Sequence, residues 1–224
     1  MTGKGKKFVA SYSGGKDSAL ALYRALKAGM EPVAMITTYN TNMGRSWFHG
    51  IPSQLLQAVS DSLGIPIALI PTDGSDYEER FREELKRLRR EKGAEACVFG
   101  DIDIPAHLQW GLDICEQSGL EACFPLWQEA RKDLVREFVD SGFRATITVV
   151  DTARLSERHL GMVLTPEAMV SIEAEGADVC GENGEYHTFV SDGPDFSRPV
   201  AFRFGEKQMR GQYAVLPLLP EETE

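Results

Sequence analysis

Ser11-Tyr12-Ser13-Gly14-Gly15-Lys16-Asp17-Ser18 follows the apolar run Phe8-Val9-Ala10 and precedes Ala19-Leu20-Ala21-Leu22-Tyr23-Arg24-Ala25-Leu26, a helical pattern that stops at Gly29. The order reads strand, glycine turn, helix. The two glycines let the backbone approach a ligand that a Cβ would block. The free N–H groups and positive dipole end of the following helix favour an anion. Lys16 adds a full charge, and Ser13 and Ser18 add hydroxyl donors. Lysine and two hydroxyls beside two glycines have no packing role, so the expected guest is a phosphate.

Working outward, apolar runs alternate with helical patterns. Pro32 to Thr38 reads as a buried strand, and Tyr39 to Gly50 as a loop carrying Asn40, Asn42, Arg45, Trp47 and His49. Pro52 opens a helix with Leu55, Leu56, Val59 and Leu63 at apolar positions, and Ile65 to Ile70 is the third strand. Asp76 is expected to cap the next helix, where Tyr77, Phe81, Leu85 and Leu88 recur at helical spacing. Cys97-Val98-Phe99 is a fourth strand, left through Gly100-Asp101-Ile102-Asp103, and Leu120 to Phe124 a fifth. Helix-length crossovers between apolar strands predict a parallel sheet covered on both faces. Ligands of such sheets sit outside the carboxyl ends of the strands. The glycine loop, the loop after Thr38 and Gly100-Asp101 all emerge at that edge.

Past Pro125-Leu126-Trp127 the pattern changes. Another helix around Leu134, Val135 and Phe138 precedes a β-branched strand, Ala145 to Val150. Thr165 caps and Pro166 opens a further helix, and the remainder is strand-like. The expected fold is α/β: a Rossmann-like parallel-sheet domain over 1–128 and a smaller α+β domain over 129–224. The second domain carries Gly181-Glu182-Asn183-Gly184-Glu185-Tyr186-His187-Thr188. Two glutamates on a glycine turn can bind a cation, hold magnesium or take a proton from an attacking amine. If the run after Gly184 is extended, Glu185 and His187 share one face and Tyr186 and Thr188 the other.

The run Ser13 to Ser18 lacks the spacing of a Walker A loop. It resembles the PP-loop of ATP pyrophosphatases, which split ATP into AMP and pyrophosphate while adenylating a substrate. With the Gly100-Asp101-Ile102 turn, the Pro125-Leu126-Trp127 junction and the Gly181 to Thr188 run in one order, nearly the whole chain resembles the diphthine–ammonia ligase family. That family belongs to the PP-loop ATPases of the adenine nucleotide α-hydrolase (HUP) superfamily. The resemblance implies adenylation of a carboxylate, diphthine on translation elongation factor 2 or a related acceptor, followed by amidation with ammonia. It implies ATP at Ser11, Ser13, Gly14, Gly15, Lys16, Asp17, Ser18, Thr37, His49, Gly100 and Asp101, with magnesium on Asp17. Lys16, Glu182 and Glu185 would be catalytic, and Asn183, Tyr186, His187 and Thr188 would meet the acceptor. The eukaryotic form has an acidic residue after the tyrosine and an arginine in the helix after Gly-Asp-Ile. Here His187 follows Tyr186, and the turn continues Asp103-Ile104-Pro105-Ala106-His107, which looks more like a prokaryotic branch.

Composition narrows the alternatives. A net charge of -10 argues against a broad grip on nucleic acid, although an RNA-modifying PP-loop enzyme and a nucleotide sensor without ligase activity remain the competing readings. No apolar run is long enough to span a bilayer, and the basic start lacks the apolar core of a signal peptide, so a cytoplasmic protein is expected. A homodimer is left open. Cys97, Cys115, Cys123 and Cys180 form no Cys-x-x-Cys pair, which argues against structural zinc. Cys97 and Cys123 read as reduced core residues, and Cys180, beside a polar motif, as the one to test for reactivity.

Overall fold

The computed structural model describes residues 3–41, 43–46 and 49–221. Asn42 and Trp47 of the polar loop, and the tail from residue 222, lie outside the described residues. The first part of the chain runs β1 (Lys7–Ser11), α1 (Lys16–Lys27), β2 (Glu31–Asn40), β3 (Arg45–Ser46), α2 (Ser53–Leu63), β4 (Ile67–Thr72), α3 (Tyr77–Lys92), β5 (Ala96–Val98), α4 (Pro105–Ser118) and β6 (Glu121–Cys123). β1 lies parallel between β2 and β5, β4 extends the sheet beyond β2, and β6 beyond β5. The parallel sheet is therefore as the apolar runs predict. One detail differs: the segment read as a loop from Tyr39 is partly strand, because β2 continues to Asn40 and β3 turns back to pair Tyr39 with Ser46.

The sheet divides its helices between two faces. α1 and α2 bury Leu20, Leu22, Leu55, Leu56 and Val59 in one core, and α3 and α4 bury Phe81, Leu85, Leu88, Ile114 and Cys115 in the other. Asp76 occupies the N-cap position of α3 without capping it. Its carboxylate accepts from the Thr72 hydroxyl at 2.5 Å and from Arg80 instead of from helix amides.

The second part runs α5 (Arg131–Asp140), β7 (Arg144–Asp151), α6 (Pro166–Ala174), β8 (Tyr186–Asp192), β9 (Phe202–Phe204), β10 (Gln208–Arg210), β11 (Tyr213–Val215) and β12 (Leu218–Pro220). Its main sheet is antiparallel, in the order β10-β11-β7-β8, and β9 pairs with β12 separately. Thr165 does cap α6, accepting from the Ala168 N–H at 3.2 Å. The core on the α1 side runs without a break into this part, taking in Phe138, Ile147, Tyr186 and Phe189. Charged groups fasten the same seam: Arg24 donates to the Pro125 carbonyl at 2.8 Å, to Glu129 and to Glu137. Among the described residues no helix is long and apolar enough to cross a membrane.

Candidate active site

A cavity of about 500 Å³ opens over the carboxyl edge of the parallel sheet, within the size range of ligand pockets. Ser11, Ser13, Lys16, Asp17 and Ser18 line it from the glycine loop. Gly14 and Gly15 do not line it, and their need for glycine is met from inside the protein. Gly14 holds a φ of +85°, and a Cβ there would lie 2.4 Å from Ile51 Cδ1. A Cβ on Gly15 would lie 2.5 Å from Cε1 of His49, whose ring covers the loop. The serines brace the turn: the Ser18 hydroxyl donates to the Gly15 carbonyl at 2.9 Å and accepts from the Ser13 N–H at 3.2 Å.

Lys16 is 6% exposed. Burial works against its charge, but the Asp17 carboxylate 2.8 Å away, helped by Glu182, holds its ammonium protonated well above the ordinary lysine range. It also lies 5.6 Å from the centre of the Tyr186 ring, within cation–π reach. The loop thus holds a buried ammonium, ion-paired to Asp17, in surroundings where a contact with an anion gains more than in water.

The Gly181 to Thr188 run folds over the same cavity, which Gly181, Glu182, Gly184, Tyr186, His187 and Thr188 line. The period-two expectation for Glu185 fails, because β8 begins only at Tyr186 and its first residues meet the cavity end-on. Glu185 turns inward and is 4% exposed. Its carboxylate accepts from the Asn183 N–H at 3.1 Å, from the Asn183 side-chain amide at 3.0 Å and from the Asp178 N–H at 3.4 Å. Glu185 and Asn183 therefore build the loop and stand off the cavity. Glu182 is the carboxylate that reaches it. Burial, then repulsion from Asp17, pushes its carboxyl up to about 7.

Arg131, which residue order gave no reason to single out, fastens this loop. Its guanidinium grips Asp103 at 2.7 and 2.8 Å, Asp178 at 2.6 Å and the Asn183 side-chain oxygen at 3.2 Å. One cation thus ties the turn after β5 to the loop that carries Glu182. Asp17, Cys180 and Glu182 place ligand atoms within 4.8 Å of one another. The two carboxylates are hard oxygen donors suited to magnesium. Burial holds the Cys180 thiol up to about 12, so it stays protonated and is neither an apt ligand nor a reactive nucleophile.

Two imidazoles sit beside the loop. His49 and His187 stack edge to face with ring centres 5.1 Å apart. Burial lowers the basicity of both; His187 and Lys16 lower His49 further, and Lys16 does the same to His187. On the far side, the Thr37 hydroxyl donates to the Tyr12 carbonyl, and Asp101 lies 3.1 Å from Nδ1 of His107. Burial raises the Asp101 carboxyl. Gly100 is forced by close approach: a Cβ there would lie 2.7 to 2.9 Å from backbone atoms of Asp17 and Ser18. Tyr77, Phe81, Phe99 and Trp110 give the lining an aromatic part. In the sequence Tyr77 and Phe81 look like core positions of a helix, and only Trp110, on the weakly amphipathic α4, carries a signal of another use.

The family model described as the diphthamide synthase N-terminal domain matches residues 6–122, and that of the diphthamide synthase C-terminal domain matches residues 130–216. The chain is similar to a diphthine–ammonia ligase of Danio rerio, with 24% identity over 95% of this chain and 92% of the relative. It is also similar to the Homo sapiens diphthine–ammonia ligase, with 24% identity over 95% of this chain and 88% of that protein. The Saccharomyces cerevisiae diphthine–ammonia ligase is 27% identical over 85% of this chain, which corresponds to 33% of that longer protein. Between them the two models take in both the glycine loop and the Gly181 to Thr188 run, and on that match the chain belongs to the diphthamide synthase family.

Proposed function

We propose that the chain is an ATP-dependent ligase that adenylates a carboxylate and amidates it with ammonia, releasing AMP and pyrophosphate. The observation that carries this reading is that Lys16 and Glu182, more than 160 residues apart in the chain, line one cavity. Residues 1–128 would hold the nucleotide and 129–224 the acceptor side. The phosphates would lie against Ser13, Lys16 and Ser18 at the start of α1. Asp17 would hold magnesium, whose charge offsets that of the triphosphate. Thr37, Gly100 and Asp101 would flank the nucleoside, with His49 over the loop.

An acceptor carboxylate oxygen attacks the α-phosphorus, and the bond to the departing pyrophosphate breaks. Lys16 neutralises charge on that leaving group, and holding the reactants in line supplies the rest of the acceleration. Ammonia then attacks the acyl carbon, the nitrogen of the adduct gives up one proton, and AMP leaves as the amide forms. That proton passes to Glu182, a carboxylate whose affinity for protons is matched to neutral pH. Tyr186, His187 and Thr188 would face the acceptor. Diphthine is the acceptor that the relatives' name suggests; carried on elongation factor 2, as the family resemblance implies, it would be met by a cytoplasmic enzyme.

The test is to incubate the protein with ATP, magnesium, ammonium and elongation factor 2 bearing diphthine. AMP, pyrophosphate and the amidated acceptor should form together, and Lys16→Ala should abolish all three. Release of ADP in place of AMP, or AMP formation by Lys16→Ala at the wild-type rate, would remove this reading.

A further inference from the structure

The antiparallel sheet turns one face inward and leaves the other open. Tyr186, Val150 and Ala214 stand in one row across β8, β7 and β11, and all three are buried. His187, Val149, Val215 and Gln208 stand in the next row, which points to the opposite face, and none of them is fully buried. His187 lines the cavity. The open face therefore begins at the candidate site and ends at the edge strand β10, roughly 14 Å away across three strand spacings. Tyr213 and Arg210, a register pair on the same face, lie beside its far end, and Tyr213 is 41% exposed.

Two cations mark this face. Arg210 donates to the Gln208 side-chain oxygen at 3.0 Å, and Arg45 of β3 donates to the carbonyls of Gly50 at 3.0 Å and Leu218 at 3.5 Å. Among the described residues neither has a carboxylate partner, whereas Arg80, Arg87 and Arg90 of α3 each have one. Asp151, in register with Tyr213, is taken up by Arg154 at 3.4 Å and Gln212 at 2.9 Å. Arg45 and Arg210 are close enough to act on each other: burial, then repulsion from Arg210, lowers the basicity of the Arg45 guanidinium. Two like charges held together in a chain of net charge -10 gain from an incoming anion. Ser46, next to Arg45, lines the cavity, so the pair also borders its mouth. We propose that this open face is the docking surface for the protein that carries the acceptor, with an acidic stretch of that protein against Arg45 and Arg210 and an apolar side chain against Tyr213 and Val215. This rests on the reading of the chain as a ligase whose acceptor belongs to a protein. A nucleic acid would call for a row of cations tracking successive phosphates. Arginine and tyrosine beside apolar side chains is instead the composition of a protein interface.

The test measures amide formation by the full chain with two acceptors: elongation factor 2 bearing diphthine, and a short peptide without acidic residues that bears the same side chain. Arg210 and Tyr213 stand outside the cavity lining. Arg210→Glu and Tyr213→Ala should each raise the KM for the protein acceptor about tenfold or more, the scale of an interface hot spot, and leave kcat and the peptide KM unchanged. Should Arg210→Glu fail to fold, Arg210→Gln serves instead. Binding of the protein acceptor should weaken with added salt in the wild type, and less steeply in Arg210→Glu. An unchanged protein KM in both variants, or a wild type that uses the peptide as readily as the protein, overturns the docking face and leaves the ligase reading standing. If a single-stranded RNA oligonucleotide displaces the protein acceptor and itself no longer binds Arg210→Glu, the face takes nucleic acid and the proposal is overturned. If neither acceptor is amidated, the ligase reading fails, and direct binding of elongation factor 2 to the immobilised chain decides the face. Binding that Arg210→Glu abolishes keeps the docking surface, and no binding overturns it.

Discussion

The backbone N–H of Lys16 donates to the Thr188 hydroxyl at 3.1 Å. The first turn of the glycine-loop helix is therefore capped from the other sheet, and the Val190 N–H adds a second link by donating to the Gly14 carbonyl at 2.9 Å. Both ends of the candidate chemistry are fixed to each other by β8. A phosphate oxygen arriving at the loop would compete with Thr188 for the same N–H.

Thr188→Val keeps the shape of the side chain and removes that acceptor. It should lower stability by about 0.5–2 kcal/mol, the range for a lost helix cap. In denaturant titrations the loss should shrink when inorganic pyrophosphate saturates the loop, because the ligand then supplies the missing oxygen. An unchanged midpoint in the free protein would show that the cap contributes nothing.

The two glutamates of the second run should separate cleanly. Glu182→Gln should keep ATP affinity and slow amide formation by roughly 100-fold or more, the scale of general acid–base catalysis. Its stability at pH 8 should equal or exceed that of the wild type, since a desolvated carboxylate repelled by Asp17 has become neutral. Glu185→Gln points an NH2 group at N–H donors that now meet oxygen, and should cost roughly 1–3 kcal/mol. Paired thermal and kinetic measurements check both. A stable Glu185→Gln protein with a turnover defect as large as that of Glu182→Gln would reverse the assignment.

That difference marks where the sequence stops being legible. The glycine loop can be read because a lysine beside two glycines at a helix start suits an anion, although the glycines and serines also serve contacts inside the protein, and the parallel sheet because its strands are apolar throughout. Glu182 and Glu185 cannot be told apart by alternation, since the strand starts one residue after Glu185. His49 over Gly15 and Arg131 between Asp103 and Asp178 are contacts between distant segments, which no local pattern encodes. Tyr77 and Phe81 repeat at a core spacing, so the helix period hides that Tyr77 also faces the cavity.

Gly100→Ala tests how tightly the turn after β5 is set against α1. The new methyl group would meet backbone atoms of Asp17 and Ser18, which cannot rotate away as a side chain can. The expected cost is about 1–3 kcal/mol, as for an overpacked core, and ATP should bind more weakly because the start of α1 must shift. Calorimetry of the variant with ATP checks this. Wild-type stability together with wild-type affinity would mean that the close approach is not needed.

The histidine pair gives the pH dependence. His49 and His187 are held below the ordinary value near 6.5, by burial first and then by the neighbouring Lys16 and, for His49, by the other ring; Asp17 pulls His187 the opposite way. Below about pH 6.5 the unfolded chain protonates these rings while the folded chain resists, so the unfolded state binds more protons. Their contribution to stability is therefore complete above that pH and erodes as pH falls. Glu182 works in the opposite sense: its carboxyl is raised to about 7, so its contribution is present at low pH and is lost as pH rises through 7. Melting curves alone would mix the two effects, so the rings should be followed directly. In proton–carbon NMR spectra, the Cε1 signals of His49 and His187, assigned with single His→Gln variants, should titrate with midpoints below 6.5, as the direction of both shifts requires. Adding pyrophosphate places negative charge beside both rings and offsets Lys16, and their midpoints should then move upward. Midpoints at or above 6.5 in the free protein, or no movement on adding pyrophosphate, would separate the pair from the anion site.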